Sequence, residues 1–369
     1  MTARVYLDWN ATAPLRPEAR AAMLEAMDIV GNPSSVHAEG RAARAIVEKA
    51  RRQVAALAGC APEAVVFTSG ATEAAALALA HEDNVQALAV EHDCVLAWAR
   101  EALPVDAHGL GLPLPDDAPA GGVLCWQRAN GETGVIQPQP PRAAGLRVLV
   151  DMVQSAGREI PRPFARDFGL ISAHKLGGPK GVGALILGAD SVPEPLLVGG
   201  GQERGRRAGT ENVIGIAGFG AAAEAALRDL EAGVWTRVER LRDDLEDRLA
   251  AAAPELIVFG KAARRLPNTS LFAVPGWTGE TQVMQMDLAG FAVSAGAACS
   301  AGKVEKASRL LQAMGFDETA ASSAIRVSMG PATTEAEVMA FADCWIEHYR
   351  RRRGRAARAH DGQVAHAES

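Results

Sequence analysis

Residues 171–183 read ISAHKLGGPKGVG, and this stretch decides how the rest of the chain is interpreted. An apolar run, 168–172, leads into it, and a second apolar run, 182–187, follows its glycine-rich turn. The pattern predicts two strands joined by a loop that holds Lys175 at the mouth of a sheet. Apolar walls and neighbouring cations lower the pKa of such an amine and make it a nucleophile toward carbonyls. Taken alone, Lys175 fits an ordinary surface lysine better, and only its partners elsewhere reverse that interpretation.

Composition and charge exclude several classes of protein. The chain has 369 residues, 48% of them apolar, and a net charge of −6, which leaves room for about two domains and gives no reason to expect a nucleic-acid partner. No apolar run is long enough to span a membrane, and residues 1–10 lack the apolar core of a signal peptide. We therefore expect a cytoplasmic protein without a membrane partner.

The five cysteines show no CxxC pair and no zinc spacing. In a reducing cytoplasm they should be free thiols, and we predict no metal site.

Short apolar runs alternate with helical stretches along most of the chain. The predicted strands are 4–9, 64–68, 87–90, 123–126, 148–150, 168–172, 182–187, 256–259 and 271–274, and the predicted helices are 16–27, 39–57, 71–80, 213–230 and 234–252. The alternation predicts an α/β fold with a mostly parallel sheet covered by helices, and the pattern after residue 255 predicts a smaller α+β domain. We expect a large domain over 15–233, a small domain formed by 1–14 and 234–350, and a flexible tail over 351–369.

One predicted strand runs into the small-residue turn Ser69-Gly70-Ala71-Thr72-Glu73 and then into an alanine-rich helix. Free backbone N–H groups and the positive end of the helix dipole would make this turn an anion cradle. The turn lacks the Gly-Lys of a Walker loop. A plain helix cap at Ser69 or Thr72 explains the pattern equally well.

Polar residues follow the other predicted strands at the point where each strand ends, which is where ligands bind in open α/β sheets. These residues are Glu91, His92, Arg128, Asn130, Gly131, Glu132, Asp151, Gln154, Ser172, His174 and Lys175. Pyridoxal 5′-phosphate would use such a set, because it needs a lysine for the imine, a carboxylate for the ring nitrogen, a flat group against the ring and donors for the phosphate. Each residue also has a plain structural alternative, but coincidence on successive strand ends is the weaker explanation.

Three features nearer the C-terminus carry further hypotheses. Cys299 lies in SAGAACSAG, 294–302, which is poor core material, and we favour a mobile nucleophile there and buried thiols for the other cysteines. Arg326 interrupts an apolar strand and forms either a structural ion pair or a bidentate clamp for a carboxylate. The glycine- and arginine-rich loop 199–210 suits a phosphate or an interface.

Taken together, the chain resembles a cysteine desulfurase of the NifS/IscS type, in the class V aminotransferase superfamily. The matching segments run in family order over nearly the whole chain, and include YLDWNATAP, VFTSGATE, ANGETGVIQP, DMVQSAG, SAHKLGGPKGVGAL, GGGQERGRRAGTENV, AGAACSAG and SSAIRVSMGPATTEAE. The resemblance implies a homodimer of the pyridoxal-phosphate-dependent transferase fold type I, with a seven-stranded type of sheet. It also implies removal of sulfur from L-cysteine to give L-alanine and an enzyme persulfide, which would serve iron–sulfur cluster assembly or another sulfur acceptor protein.

The resemblance also assigns roles residue by residue. Lys175 forms the imine and moves the Cα proton, Asp151 pairs with the ring nitrogen, and Cys299 becomes the persulfide. The full implied sets are Lys175, Cys299 and His92 for catalysis; Ala71, Thr72, His92, Asn130, Gly131, Asp151, Gln154, Ser172, His174, Lys175 and the neighbouring subunit's Thr210 for the cofactor; and Asn10 and Arg326 for the substrate.

Some positions depart from the family pattern. Gly131 stands where the family has an asparagine that contacts the cofactor, Arg128 stands where a histidine is usual, and alanines occupy 74–76 and the cysteine loop. These changes put substrate positioning and catalytic efficiency in question. The alternatives are a selenocysteine lyase or another class V lyase or aminotransferase, and a degenerate sulfur-relay paralogue without catalysis. The sequence does not identify the sulfur acceptor.

Overall fold

The computed structural model describes residues 4–114, 121–141, 145–161, 164–296 and 307–367, with side chains described as far as residue 354. The strands are β1 Val5–Tyr6, β2 Val65–Thr68, β3 Val85–Leu88, β4 Glu101–Leu103, β5 Val123–Cys125, β6 Arg147–Asp151, β7 Phe168–Ser172, β8 Gly183–Leu187, β9 Ile257–Val258, β10 Thr269–Ala273, β11 Phe291–Ala292, β12 Ser294–Ala295 and β13 Ala324–Ser328. The helices are α1 Pro17–Met27, α2 Ala38–Ala58, α3 Ala71–Leu79, α4 Asp93–Leu96, α5 Val213–Glu231, α6 Val234–Ala252, α7 Gly279–Leu288, α8 Arg309–Ala313, α9 Glu318–Ser322 and α10 Glu335–Ala367. Short 3₁₀ turns occupy Pro62–Ala64, Ala173–Lys175 and Gln202–Gly205.

A seven-stranded sheet forms the centre of the molecule, in the order β2-β8-β7-β6-β5-β3-β4. Strands β7, β6, β5, β3 and β4 pair in parallel, whereas β8 runs antiparallel to both of its neighbours. Strands β7 and β8 are buried along their whole length, as expected for a sheet covered on both faces. The predicted mostly parallel α/β sheet is confirmed.

Helices cover the two faces of this sheet. On one face, α2 and α5 pack against β2, β7 and β8, and the apolar residues between them form one continuous core. The two helices approach closely because α5 presents small residues to α2: a Cβ on Gly220 would lie 2.6 Å from the Cα of Ala50. Helix α3 packs against the other face. The sheet is therefore held rigidly, and its edges present fixed positions to a ligand.

The carboxyl ends of the parallel strands meet at one edge. Strand β6 ends at Asp151, and β7 ends at Ser172 and continues directly into the 3₁₀ turn that carries Lys175. Strand β3 ends at Leu88, two residues earlier than predicted, because the amide of Glu91 turns back to donate to the carbonyl of Leu88. The strand-end residues identified from the sequence nonetheless follow strands of this one sheet.

A second, four-stranded sheet of order β12-β13-β10-β9 is antiparallel. The N-terminal strand β1 pairs with β11, and Asp8 forms a bridge with Ser328, so residues 5–10 pack with the C-terminal part of the chain. An aromatic core that includes Phe272 and Trp345 lies between this sheet and helices α6 and α10. These contacts support the expected grouping of 1–14 with 234–350, and the domain boundaries themselves stay a prediction.

Helix α10 continues to Ala367, so the backbone is helical where the charged composition favoured a flexible tail. Among the helices of the described residues, none has the length and apolarity needed to cross a membrane.

The loop 199–210 is anchored beside the edge strand β2 by a buried ion pair. Glu203 accepts from the Nη1 and Nη2 atoms of Arg51 at 2.8 and 2.7 Å, and from the backbone amide of Phe67 at 2.9 Å. Glu203 and Arg204 both have positive φ, 47° and 60°, a strained conformation for residues with side chains. The ion pair therefore holds the loop in a conformation that its own backbone disfavours.

Replacing Glu203 with alanine should lower the free energy of unfolding by about 3–5 kcal/mol, because it leaves the Arg51 guanidinium buried without its carboxylate. The matched control is Glu48→Ala, since Glu48 also contacts Arg51, at 3.1 Å, but its side chain is 44% exposed. The control should cost less than about 1 kcal/mol. Urea denaturation of both variants measures the difference; equal losses would show that the Arg51–Glu203 pair does not anchor the loop.

Candidate active site

Lys175 lies at the carboxyl edge of the central sheet, and its amine is directed at the N-terminal segment. The Nζ atom donates to the carbonyl of Asn10 at 2.6 Å and to that of Ala11 at 3.0 Å. Burial lowers the pKa of Lys175 to about 8, helped by the positive charges of Arg326 and Arg158 and opposed by Asp151 and Asp8. The amine is therefore neutral, and nucleophilic, at a lower pH than an exposed lysine.

Asp151 is a buried carboxylate whose negative charge acts on the Lys175 amine. Its Oδ1 atom accepts from the amide of Val153 at 2.8 Å. Burial raises its pKa, while that N–H and the charges of His92 and Lys175 act in the opposite direction. The carboxylate, the imidazole and the lysine thus share one electrostatic environment.

Glu91 is a second carboxyl group beside Asp151. It is only 2% exposed, and neither of its side-chain oxygens has a hydrogen-bond partner in the part of the chain that the structure describes. Burial, and then the negative charge of Asp151, raise its pKa well above the ordinary value. Because two adjacent buried carboxylates do not both ionise readily, each disfavours the charged form of the other, and the pKa of Glu91 is the more strongly raised.

Gln154 lies one turn after Asp151, and both ends of its amide are engaged. Its Nε2 atom donates to the carbonyl of Asn10 at 3.1 Å, and its Oε1 atom accepts from Arg158. A Cβ on Gly131 would lie 3.2 Å from that Nε2 atom. The glycine that departs from the family pattern therefore leaves room for the Gln154 amide.

Arg326 projects from β13 toward the same place. Its Nη2 atom donates to Asp8 at 2.7 Å, and its Nη1 atom donates to the carbonyl of Gly131 at 3.2 Å. Asp8 also accepts from the hydroxyl of Ser294 at 2.8 Å. The Nε atom of Arg326 is buried and has no partner within the described ranges. The arginine thus forms a structural ion pair and still has N–H groups that no acceptor engages.

The turn before α3 has the geometry of an anion cradle. Gly70 occupies the N-cap position, and no side chain caps the helix, so the alternative of a cap by Ser69 or Thr72 is wrong. Glu73 instead accepts from the amide of Ser69 at 2.7 Å and from Arg207 at 2.9 Å. The first N–H groups of the helix, at Ala71 and Thr72, have no helical acceptor and remain to bind an anion.

The two histidines of the predicted site differ in environment. His92 is exposed, and its Nδ1 atom accepts from the amide of Cys94 at 3.1 Å. His174 lies against Thr12, with 3.1 Å between its Nδ1 atom and the threonine hydroxyl. Burial, and then the charges of Lys175 and Lys180, lower the pKa of His174 to about 4, so this imidazole is neutral near pH 7.

Two of the predicted site residues that the structure describes, Asn130 and Thr210, are not joined to this cluster by a hydrogen bond. Asn130 is buried, and its amide holds the turn: Oδ1 accepts from the amides of Glu132 and Thr133, and Nδ2 donates to the carbonyl of Val90. Its contact with a cofactor stays a prediction. Thr210 is exposed in the loop 199–210, and Cys299 lies outside the described residues.

Sequence reasoning missed two residues that the structure places at the site, Asp8 and Arg158. Asp8 reaches Arg326, which is 318 positions away, and no local pattern predicts such a pair. Arg158 had a weak signal, since it follows Gln154 by four residues, the spacing at which side chains meet on one face of a helical turn.

The chain is similar to known proteins over most of its length. The model of the aminotransferase class-V family matches residues 5–341. A cysteine desulfurase of Cereibacter sphaeroides is 41% identical over 364 residues, which cover 91% of this chain and 93% of the relative. A cysteine desulfurase of Frankia sp. (strain EuIK1) is 40% identical over 382 residues, which cover 92% of this chain and 90% of the relative.

Solved structures agree with these relatives. The structure of a NifS-like protein from Rickettsia africae ESF-5 matches with a TM-score of 0.84 and 28% identity, and covers 94% of this chain and 99% of that one. Another NifS-like protein matches with a TM-score of 0.83 and 31% identity, and covers 94% of this chain and 99% of that one.

Proposed function

The chain belongs to the aminotransferase class-V family, and we propose that it is a cysteine desulfurase that removes sulfur from L-cysteine. The observation that carries the proposal is the position of the partly buried Lys175 amine at the sheet edge, where it donates to the carbonyl of Asn10 and where Arg326 lowers and Asp151 raises its pKa. The resemblance found from the sequence motifs is confirmed, as is the fold class of the pyridoxal-phosphate-dependent transferases.

The residues at this edge fit pyridoxal 5′-phosphate. Asp151 offers a buried carboxylate for the ring nitrogen, and Gln154 offers an amide donor for the ring hydroxyl. His92 is exposed and free to lie against a ring. The groups that would hold the phosphate are the N-terminus of α3 with Ala71 and Thr72, together with Ser172 and His174, and Thr210 from a neighbouring subunit. When bound, the cofactor supplies an electron sink for the substrate Cα.

The side chains of this chain perform the remaining steps. Lys175, neutral at moderate pH, takes a proton from the substrate Cα and later returns one. Arg326 binds the substrate carboxylate through its guanidinium, while Asp8 fixes the guanidinium plane. Asn10 lies on the side of the site where the substrate would bind, and its carbonyl orients the Lys175 amine.

Cys299 is the acceptor of the sulfur in this proposal. Its thiolate attacks the substrate Sγ, the Cβ–Sγ bond breaks, and its electron pair stays with the carbon fragment, which takes up a proton and becomes alanine. One cysteine and one enzyme thiol thus give one alanine and one persulfide. The persulfide then passes its outer sulfur to an acceptor protein of the cytoplasm, in iron–sulfur cluster assembly or another sulfur-transfer pathway.

A homodimer completes the proposal, and one exposed apolar face supports it. Val30, Val36 and Val198 are 84, 85 and 80% exposed, and Ile29 and Leu197 are also exposed. The two segments that carry them are neighbours, because Gln202 contacts Ser34 at 3.5 Å. Covering this face with a second copy would remove the apolar surface from water and bring loop 199–210, with Thr210, against the partner.

Purified protein with bound cofactor should convert L-cysteine and a thiol reductant into equal amounts of alanine and sulfide. Without reductant, mass spectrometry should find one added sulfur on Cys299. Cys299→Ala should reduce both products to background because the nucleophile is gone, whereas the control Cys344→Ala should keep them.

Other outcomes of that assay identify the alternatives. Faster turnover of selenocysteine that survives Cys299→Ala would indicate a selenocysteine lyase. Bound cofactor without turnover of any amino acid would indicate a non-catalytic sulfur-relay protein and contradict the proposal.

The dimer has its own test in sedimentation velocity. The wild-type protein should sediment at twice the 38.6 kDa mass of the chain. The double variant Val30→Asp/Val198→Asp should sediment as a monomer, because it buries two charges in the interface. The control Leu288→Asp alters an equally exposed apolar residue, 82% exposed on α7, and should stay dimeric. A wild-type monomer would refute the dimer.

A further inference from the structure

Arg158 is a buried cation without a carboxylate partner. It is 6% exposed, and its guanidinium donates to neutral oxygens: Nη1 to the carbonyl and the Oε1 atom of Gln154, and Nη2 to the carbonyl of Lys175 at 3.2 Å. Among the residues that the structure describes, no carboxylate lies within ion-pair distance of it. The adjacent Glu159 pairs with Arg128 and Arg264 instead.

Such an arrangement is costly for the fold. Burying a charge without an opposite charge is among the largest penalties that a side chain imposes, and an apolar residue of similar volume would cost less. Burial, and then the charge of Arg326, lower the pKa of Arg158 to about 9. Because stability does not account for a cation here, we attribute its presence to its contacts with Gln154 and Lys175.

We propose that Arg158 is a positioning residue of the active site, which fixes the Gln154 amide in one orientation and holds a positive charge against the Lys175 amine. The inference rests on the proposed function, because it concerns how these two residues meet the cofactor.

The orientation of Gln154 follows from donor and acceptor chemistry. A guanidinium has only donors, so the Oε1 atom of Gln154 must face Arg158 and the Nε2 atom must face the site. The Nε2 atom donates to the carbonyl of Asn10 at 3.1 Å, and the absent Cβ of Gly131 leaves space beside it. A flipped amide would set two acceptors against each other at Asn10. Arg158 thus keeps the Nε2 atom of Gln154 facing the site, where its second N–H could donate to the ring hydroxyl of a bound cofactor.

The effect on Lys175 follows from the charges that face it. Arg326 and Arg158 lower the pKa of Lys175, Asp151 and Asp8 raise it, and His174 is neutral near pH 7. A cation destabilises only the protonated amine. Removing the charge of Arg158 therefore raises the pKa of Lys175 and leaves less neutral amine near pH 7.

The test measures the pH dependence with which Lys175 is acetylated in the full chain freed of cofactor, using trace acetic anhydride and mass spectrometry. The wild-type midpoint should lie near the pKa of about 8. In Arg158→Met the midpoint should move up by about one pH unit. The matched control is Arg264→Met, which removes an exposed cation that contacts Glu159 and neither Gln154 nor Lys175, and its midpoint should not move.

Arg158→Lys separates the two roles and guards against a misfolded methionine variant. A lysine keeps the charge but not the fork that holds the amide, so the midpoint should stay at the wild-type value while the dissociation constant for pyridoxal 5′-phosphate rises about tenfold. Thermal unfolding confirms that each variant is folded. A folded Arg158→Met with an unchanged midpoint, or an Arg158→Lys with wild-type cofactor affinity, would overturn the proposal.

This experiment is independent of the activity. Acetylation of the cofactor-free chain requires no turnover, so a shifted midpoint supports the role of Arg158 even if L-cysteine is not a substrate. A wild-type protein that makes alanine with an unshifted Arg158→Met midpoint would retain the proposed function and refute the role of Arg158.

Discussion

The site depends on one backbone carbonyl, that of Asn10, which accepts from the Nζ atom of Lys175 at 2.6 Å and from the Nε2 atom of Gln154 at 3.1 Å. Asn10 is itself fixed by the smaller sheet: its amide donates to the hydroxyl of Ser328, and its side chain donates to the hydroxyl of Thr269 and the carbonyl of Gly131. The N-terminal segment therefore ties both sheets to the catalytic lysine. A shift of a few tenths of an ångström in either sheet would change the hydrogen bond between the Lys175 amine and the Asn10 carbonyl.

Charge balance around that carbonyl sets the chemistry. Three cations, Lys175, Arg158 and Arg326, face two carboxylates, Asp8 and Asp151, in a region largely closed to water. The surplus of positive charge disfavours the protonated form of the Lys175 amine, whose pKa falls to about 8. The arrangement lowers stability and raises the reactivity of Lys175, a trade that is common at catalytic sites.

Sequence patterns predicted the parts of this structure that local chemistry determines. The apolar runs identified strands such as β2 and β7 because strands that are buried along their whole length are continuous apolar segments. Asp151, Gln154 and Lys175 were identified because they follow strands that share one edge. The reversed direction of β8 was not predicted, since a strand's orientation depends on its neighbours.

Contacts between distant segments account for what the sequence did not predict. The pairing of Arg326 with Asp8 and of Arg51 with Glu203 joins positions 318 and 152 residues apart. The hydrogen bonds of the Asn130 amide within its own turn were not predicted from the sequence, and its contact with a cofactor stays a prediction. The role of Cys299 rests on resemblance and on the behaviour of a thiol in a small-residue loop, so its evidence must come from chemistry.

The most direct measurement for the central claim is borohydride reduction of the cofactor-loaded protein followed by peptide mass spectrometry. If the buried amine of Lys175 is the group that holds the cofactor, the added pyridoxyl mass should be found on the peptide that carries Lys175 and on no other lysine. Lys180, exposed five residues later, serves as the internal comparison. A pyridoxyl group on Lys180 or spread over the surface lysines, with Lys175 unmodified, would contradict the account.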